Sequence, residues 1–333
     1  MTGLATTWSA SLGLRVPIVA APMGGVAGGR FAHAVSRAGA LGLIGMGSAG
    51  SATKLSAQLA EFEAAGREDA EASALPFGVG LVGWGLRRDP ELLELALAAR
   101  PHLVSIGFSE HFDWVERVHA IGALAATQVY TPAEAVLAAD AGVDVVVARG
   151  SEGGGHGDPR MGTLSLLDAV LDGIGGRTTV LAAGGISSGR SLAAVLAAGA
   201  DGAWVGTALM ASPEALTPES ARPVLLAATG DDTVNTSAAD AALGLPWPER
   251  FPERVVRNAF VEEWAGRVDE LRGSGDALDG FRAEFTAANS AGDHRLVPVD
   301  AGEGVGLLRS VRPVAEILDE FTRDASALLG RWG

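Results

Sequence analysis

The chain predicts an α/β fold, a (β/α)8 TIM barrel with a small helical cap inserted before its last helix. Three features lead there: eight short apolar runs, amphipathic Ala/Leu-rich segments between them, and a break in that rhythm after Met210. Near-continuous apolar strands alternating with helices indicate parallel βαβ units, and eight such units can close a barrel. A doubly wound open sheet is the architecture that shares this alternation.

The apolar runs lie at 16–21, 41–46, 77–82, 103–106, 123–127, 143–148, 179–183 and 202–205. Helices are expected between them at 29–38, 51–65, 90–99, 112–121, 132–141, 164–171 and 189–198. Several end in an Ala-Gly pair, as suits a helix C-terminus. From 213 to 299 the chain turns polar and reads as helical without strand alternation, around the cluster Pro246-Trp247-Pro248; apolar periodicity returns over 304–329. The economical division is a barrel built from 1–212 and 301–333, with 213–300 as a cap over the mouth where barrel active sites lie. A separate trailing domain accounts less well for the amphipathic last helix.

Composition narrows the chemistry. With 333 residues, 48% of them hydrophobic, the chain can bury a large core. It has no cysteine, which removes disulfides, thiolate catalysis, Cys-ligated zinc and Cys-ligated iron–sulfur clusters. Lys54, the single lysine, belongs to the surface helix expected at 51–65, so Schiff-base chemistry is disfavoured. A net charge of −15 disfavours nucleic acid and anionic membranes as partners and favours small molecules. No apolar run approaches the roughly 20 residues that span a bilayer. No leader pattern is read in 1–15, so a cytoplasmic location is expected.

The most informative stretch is Arg149-Gly150-Ser151-Glu152-Gly153-Gly154-Gly155-His156-Gly157-Asp158, directly after the sixth strand. Glycines let the backbone approach a ligand, and imidazole is the side chain best suited to moving protons near neutral pH. A surface loop with an incidental histidine is the plainer alternative. Three more glycine-rich blocks end strands: Ala21-Pro22-Met23-Gly24-Gly25, Ala183-Gly184-Gly185-Ile186 and Gly206-Thr207. The last two follow neighbouring strands seven and eight, whose loops commonly cradle a phosphate. Tight turns that use glycine for conformation alone are the competing reading.

Taken in order, these blocks resemble the signature of the nitronate monooxygenases, formerly called 2-nitropropane dioxygenases. Asp231-Asp232-Thr233-Val234 and Trp247-Pro248 also fit that pattern. The resemblance implies an FMN cofactor, its phosphate held at Gly184, Gly185, Gly206 and Thr207 and its ring near Ala21, Pro22 and Met23. Gln128 matches a flavin-contacting position, and Gly155 and Ala183 join the same cofactor set. His156 matches the family's catalytic base, which takes the α-proton of a nitroalkane or guides its nitronate. Dioxygen is the co-substrate, and a carbonyl compound and nitrite are the products. No metal is expected, NAD(P)H is a candidate reductant, and assembly into a homo-oligomer is left open.

Other histidines compete poorly. His33 and His119 fall in expected helices, His102 precedes a strand and His294 lies in the cap. His111, after strand four, is either a substrate-pocket residue or a solvated residue at a helix start. The chain departs from the family pattern at Gly80, where relatives often carry Asn, and at Arg149, where Gln is common. Arg149 is accordingly read either as a recruiter of anionic substrate or as the partner of Glu152 or Asp158. The same barrel and flavin serve NAD(P)H-dependent quinone and enoyl-thioester reductases, which form the alternative function. Inosine-phosphate dehydrogenase chemistry needs a cysteine and is excluded. A ligand sensor without catalysis is disfavoured by His156 on its loop.

Overall fold

The computed structural model describes residues 4–68, 75–273 and 276–331. The outermost positions of the two barrel segments, 1–3 and 332–333, and positions 274–275 of the cap lie outside the described residues. In chain order the strands are β1 (Ile18–Ala20), β2 (Gly42–Gly45), β3 (Phe77–Val82), β4 (Leu103–Gly107), β5 (Leu124–Val129), β6 (Val145–Arg149), β7 (Gly155–His156), β8 (Thr179–Ala183), β9 (Gly202–Val205), β10 (Thr233–Thr236), β11 (Glu253–Val256) and β12 (Val299–Asp300).

Eight of these form a parallel sheet in the order β1-β9-β8-β6-β5-β4-β3-β2, and a bridge between Val19 and Leu41 joins its two ends. The sheet is therefore a closed barrel, one strand per apolar run. Alternate residues face opposite ways along a strand. Val19, Leu43, Leu103, Val145, Val147 and Leu181 accordingly fill the lumen, with Trp8 and Leu14 packed onto the same cluster. Their neighbours Ile18, Ile44, Val104, Val146 and Val180 meet the surrounding helices. Burial on both faces is why these runs are apolar throughout instead of alternating. The last helix, Val314–Leu329, packs on the helices Gly189–Ala197 and Gly29–Arg37 and closes the outer ring.

The segment between β9 and that helix differs from its reading as purely helical. It holds short helices at Ala238–Leu243 and Ala259–Trp264 and a longer one at Asp276–Ala291, but it also holds β10, β11 and β12. β11 lies at the centre of this small antiparallel sheet, paired with β10, β12 and β7. Four-residue and two-residue strands are too short to show a period of two. Their β-branched content, Thr233, Val234, Thr236, Val255 and Val256, was the available signal. A second apolar core of Ala238, Ala242, Val255, Phe260, Val261, Leu271 and Phe285 supports the sheet from the cap side.

Candidate active site

The glycine-rich loop after β6 is bent back over the barrel mouth and stitched to the cap. Its β7 residues pair with β11, Gly155 opposite Arg254 and His156 opposite Glu253. Gly157 N–H donates to Pro252 O at 3.1 Å, and Glu303 N–H to Glu152 O at 2.9 Å. The Glu152 carboxylate accepts from the N–H of Thr163 at 2.9 Å and its hydroxyl at 2.8 Å, at the start of the helix Thr163–Ile174. A carboxylate there satisfies an orphan donor and meets the positive end of the helix dipole.

Arg149 holds the loop from inside. Its Nη2 donates to the carbonyls of Gly153, Gly154 and Gly155 at 2.9, 3.1 and 3.0 Å, and Nη1 to Gly150 O at 3.3 Å. Cβ atoms at Gly153 and Gly157 would lie 2.7 and 2.3 Å from the guanidine, so these glycines make room for it. The buried guanidinium is thus spent on backbone carbonyls. Neither acid weighed as its partner is bonded to it: Asp158 pairs with Arg160 and Arg250, and Glu152 with Thr163.

Between barrel and cap lies a chamber of about 660 Å³. Ala21, Pro22, Met23, Gln128, Gly155, Ala183, Gly184, Gly185, Gly206 and Thr207, expected around a cofactor, all line it, together with Arg149 and His156. His111 does not; it sits on an exposed loop, where its carbonyl accepts from Ser109 Oγ and Trp114 Nε1. Lys54 is exposed, as expected, with Nζ on Ala49 O, yet it borders the chamber. At Gly80 a Cβ would stand 2.2 Å from Pro22 Cβ, and one at Gly45 2.4 Å from the Pro22 carbonyl carbon. The Pro22 ring occupies the space that a longer side chain on β3 would need.

His156 is held on two sides. Its Nε2 lies 2.9 Å from Asp240 Oδ2, on the cap helix Ala238–Leu243. One ring face stacks on Trp247, with centroids 3.6 Å apart and planes within 9°. Trp247 is met edge-on by Phe108 at 4.8 Å and Trp84 at 5.1 Å. Phe108 has φ +58°, a left-handed conformation that costs a non-glycine residue about 1–3 kcal/mol and that concentrates at functional sites. The sole tyrosine, Tyr130, donates to Gln128 Oε1 at 3.3 Å, and burial pushes its hydroxyl pKa up, so it stays neutral.

A carboxylate group surrounds the histidine. Potential ligating atoms of His156, Asp240 and Glu253 lie within 4.8 Å of one another. The Glu253 carboxyl is pushed well above the usual range, first by burial and then by Asp300 and Asp240. The Asp300 side chain is exposed to the chamber, and its carboxyl is also raised, first by desolvation, with His156 opposing the shift. Sequence reading missed Asp240, Glu253, Asp300 and Phe108. The trace left by Asp240 is a single charge in the run Ala238-Ala239-Asp240-Ala241-Ala242, which reads equally well as the solvated side of a helix.

A barrel whose mouth is closed by glycine loops and a cap around one histidine defines a class of barrel oxidoreductase. The family model for nitronate monooxygenase matches residues 82–324, and the chain belongs to that family. A nitronate monooxygenase from Pseudomonas aeruginosa is 31% identical over 92% of this chain and 95% of the relative. A Mycobacterium tuberculosis relative named (3aS,4S,5R,7aS)-5-hydroxy-7a-methyl-1-oxo-octahydro-1H-indene-4-carboxyl-CoA dehydrogenase is 31% identical over 88% of this chain and 74% of its own length. The crystal structure of nitroalkane oxidase from Streptomyces ansochromogenes superposes with a TM-score of 0.81 at 26% identity, covering 98% of this chain and all of the other. The resemblance read from the ordered motif blocks is borne out. Among the described residues no helix is long and apolar enough to cross a membrane.

Proposed function

We propose that the protein uses bound FMN and dioxygen to oxidise nitroalkanes or their nitronates to a carbonyl compound and nitrite, with His156 as the base. The observation that carries this reading is His156 itself, which lines the chamber beside the expected cofactor residues while Asp240 holds its Nε2.

The chamber residues fit FMN. A Cβ on Gly206 would meet nothing nearer than Met23 Sδ at 3.4 Å and Ala21 Cβ at 3.5 Å, so this backbone is bare toward the chamber. Gly184 and Gly185 take φ of +109° and +66°, which a side chain would oppose. They precede the helix Gly189–Ala197, whose Ser188 cap and N-terminal amides suit a nearby anion. These loops and Gly206-Thr207 would hold the phosphate, with Ala21, Pro22, Met23 and Gln128 against the ring. FMN, when bound, supplies the electron acceptance that no side chain can.

The chain's own part is proton handling and exclusion of water. His156 takes the α-proton, leaving the C–H electron pair on the substrate as its nitronate. Trp247, Phe108 and Trp84 form an apolar wall beside the imidazole. In His156→Asn, FMN should stay bound while turnover of neutral nitroalkanes falls roughly 10²–10⁴-fold. Pre-formed nitronates, which have already lost that proton, should suffer far less. An unchanged neutral-nitroalkane rate removes the histidine from the chemistry.

A second reading, an NAD(P)H-dependent reductase of quinones or enoyl thioesters, draws support from the relative named as a carboxyl-CoA dehydrogenase. Anaerobic mixing separates the two. Fast flavin bleaching by a nitronate supports the first reading, and fast bleaching by NADH or NADPH alone supports the second.

A further inference from the structure

Asp240 stands between two cavities. One side borders the main chamber; the other lines a smaller one of about 230 Å³ within the cap, shared with Ser237, Gly244, Leu245, Trp247 and Arg272. Its side chain is only 6% exposed. Its partner is the ring nitrogen of His156, and among the described residues no hydrogen bond is made by the other ring nitrogen, Nδ1. A carboxylate accepts and cannot donate, so a neutral His156 facing it carries its proton on Nε2 and offers the Nδ1 lone pair.

We infer that Asp240 is a positioning residue: it fixes His156 as the Nε2–H tautomer, leaves Nδ1 as the basic atom, and compensates the positive charge the ring acquires. The proposal rests on the reading of His156 as the base. The proton leaves carbon for Nδ1, the electron pair stays on the substrate, and Nε2–H remains on Asp240 as the imidazolium forms. Asp240 is the acid hydrogen-bonded to the ring, and so the nearest source of charge compensation. Glu253 is held toward its protonated form, Asp300 attracts the ring through space without a hydrogen bond to it, and Arg149 is bonded to the loop carbonyls. Trp247 covers one face and holds the ring in its plane with a flat stack at 3.6 Å, and within that plane the hydrogen bond to Asp240 decides which way the nitrogens face. The catalytic tautomer would thus be set by a residue 84 positions away, in the cap.

The test compares Asp240→Asn, Asp240→Ala and His156→Asn in the flavin-loaded protein. Nitrogen-15 spectra of histidine-labelled protein should show His156 as Nε2–H in the parent. In Asp240→Asn they should show a shift toward Nδ1–H, because the amide can donate to Nε2. Turnover of neutral nitroalkanes should fall at least about 10-fold in both Asp240 variants with KM little changed, while pre-formed nitronates are spared. Added formate, entering through the cavity that truncation opens, should restore part of the rate of Asp240→Ala. If His156→Asn loses turnover but Asp240→Asn keeps both the parent rate and the parent tautomer, the inference fails and the base assignment stands. A loss in Asp240→Ala that formate does not relieve, with the tautomer unchanged in Asp240→Asn, makes Asp240 merely structural and also overturns it. Full activity in His156→Asn defeats the base assignment itself.

Discussion

At the scale of the residue, Arg149 shows how a side chain's chemistry is decided by what it touches. From sequence, a guanidinium beside a glycine loop suggests recruitment of an anionic substrate or an ion pair. In the structure it binds four carbonyls and holds the loop that carries His156. Arg149→Gln should therefore loosen the loop for every substrate alike. A glutamine cannot reach four acceptors, and each buried carbonyl left without a donor costs about 1–3 kcal/mol. Carboxylate-bearing and neutral nitro compounds should lose kcat/KM together, and Tm should fall. A loss greater by about 10-fold for the carboxylates, worth about 1.4 kcal/mol, would return Arg149 to the substrate. Gly80 teaches the same lesson in reverse. Its departure from the family pattern was visible in the sequence, but its neighbour, the Pro22 ring 2.2 Å from where a Cβ would stand, needed three dimensions.

At the scale of the element, β11 does the joining. It pairs with barrel loop and cap strands together, and it sets the buried Glu253 opposite His156. Folded Glu253 has a pKa well above its ordinary 4.5 because burial, Asp300 and Asp240 all oppose its charge. A raised folded-state pKa gives a contribution that is complete below the unfolded value and is lost as pH rises through the folded one. Glu253→Gln keeps the shape and removes that dependence. Parent and variant should melt alike near pH 4, and the variant should pull ahead as pH rises, by about 1–2 °C for each kcal/mol relieved. Parallel Tm profiles across pH would show that Glu253 carries no such penalty. The barrel strands were legible because each is an apolar run bounded by glycine or polar turns, whereas β7 and β12 exist only as pairings. No local pattern in Gly155-His156 or Val299-Asp300 announces a strand.

At the scale of the whole molecule, the ten positions expected around a cofactor line one chamber because barrel topology sends every strand's C-terminal end to one mouth. Asp240 was not legible in the sequence, since nothing in one dimension brings a cap helix to a barrel loop. The chain re-enters the barrel from the cap where Gly302 N–H donates to Thr207 Oγ1 at 2.9 Å, at a candidate phosphate residue. A ligand held by Gly184, Gly185, Gly206 and Thr207 would brace barrel and cap together and stabilise both. With free FMN at about 100 times its Kd, mass action contributes about 2.7 kcal/mol, or roughly 4 °C in Tm. Gly206→Val is the discriminating variant, because Gly206 has negative φ and room for a Cβ, whereas Gly185 would be strained by its φ of +66°. Its bulk should fill the approach to the phosphate without unfolding the barrel, so flavin-free parent and variant should melt together and only the parent should respond to FMN. An equal FMN-induced rise in the variant would move the phosphate away from this loop, and with it the proposed seat of the flavin.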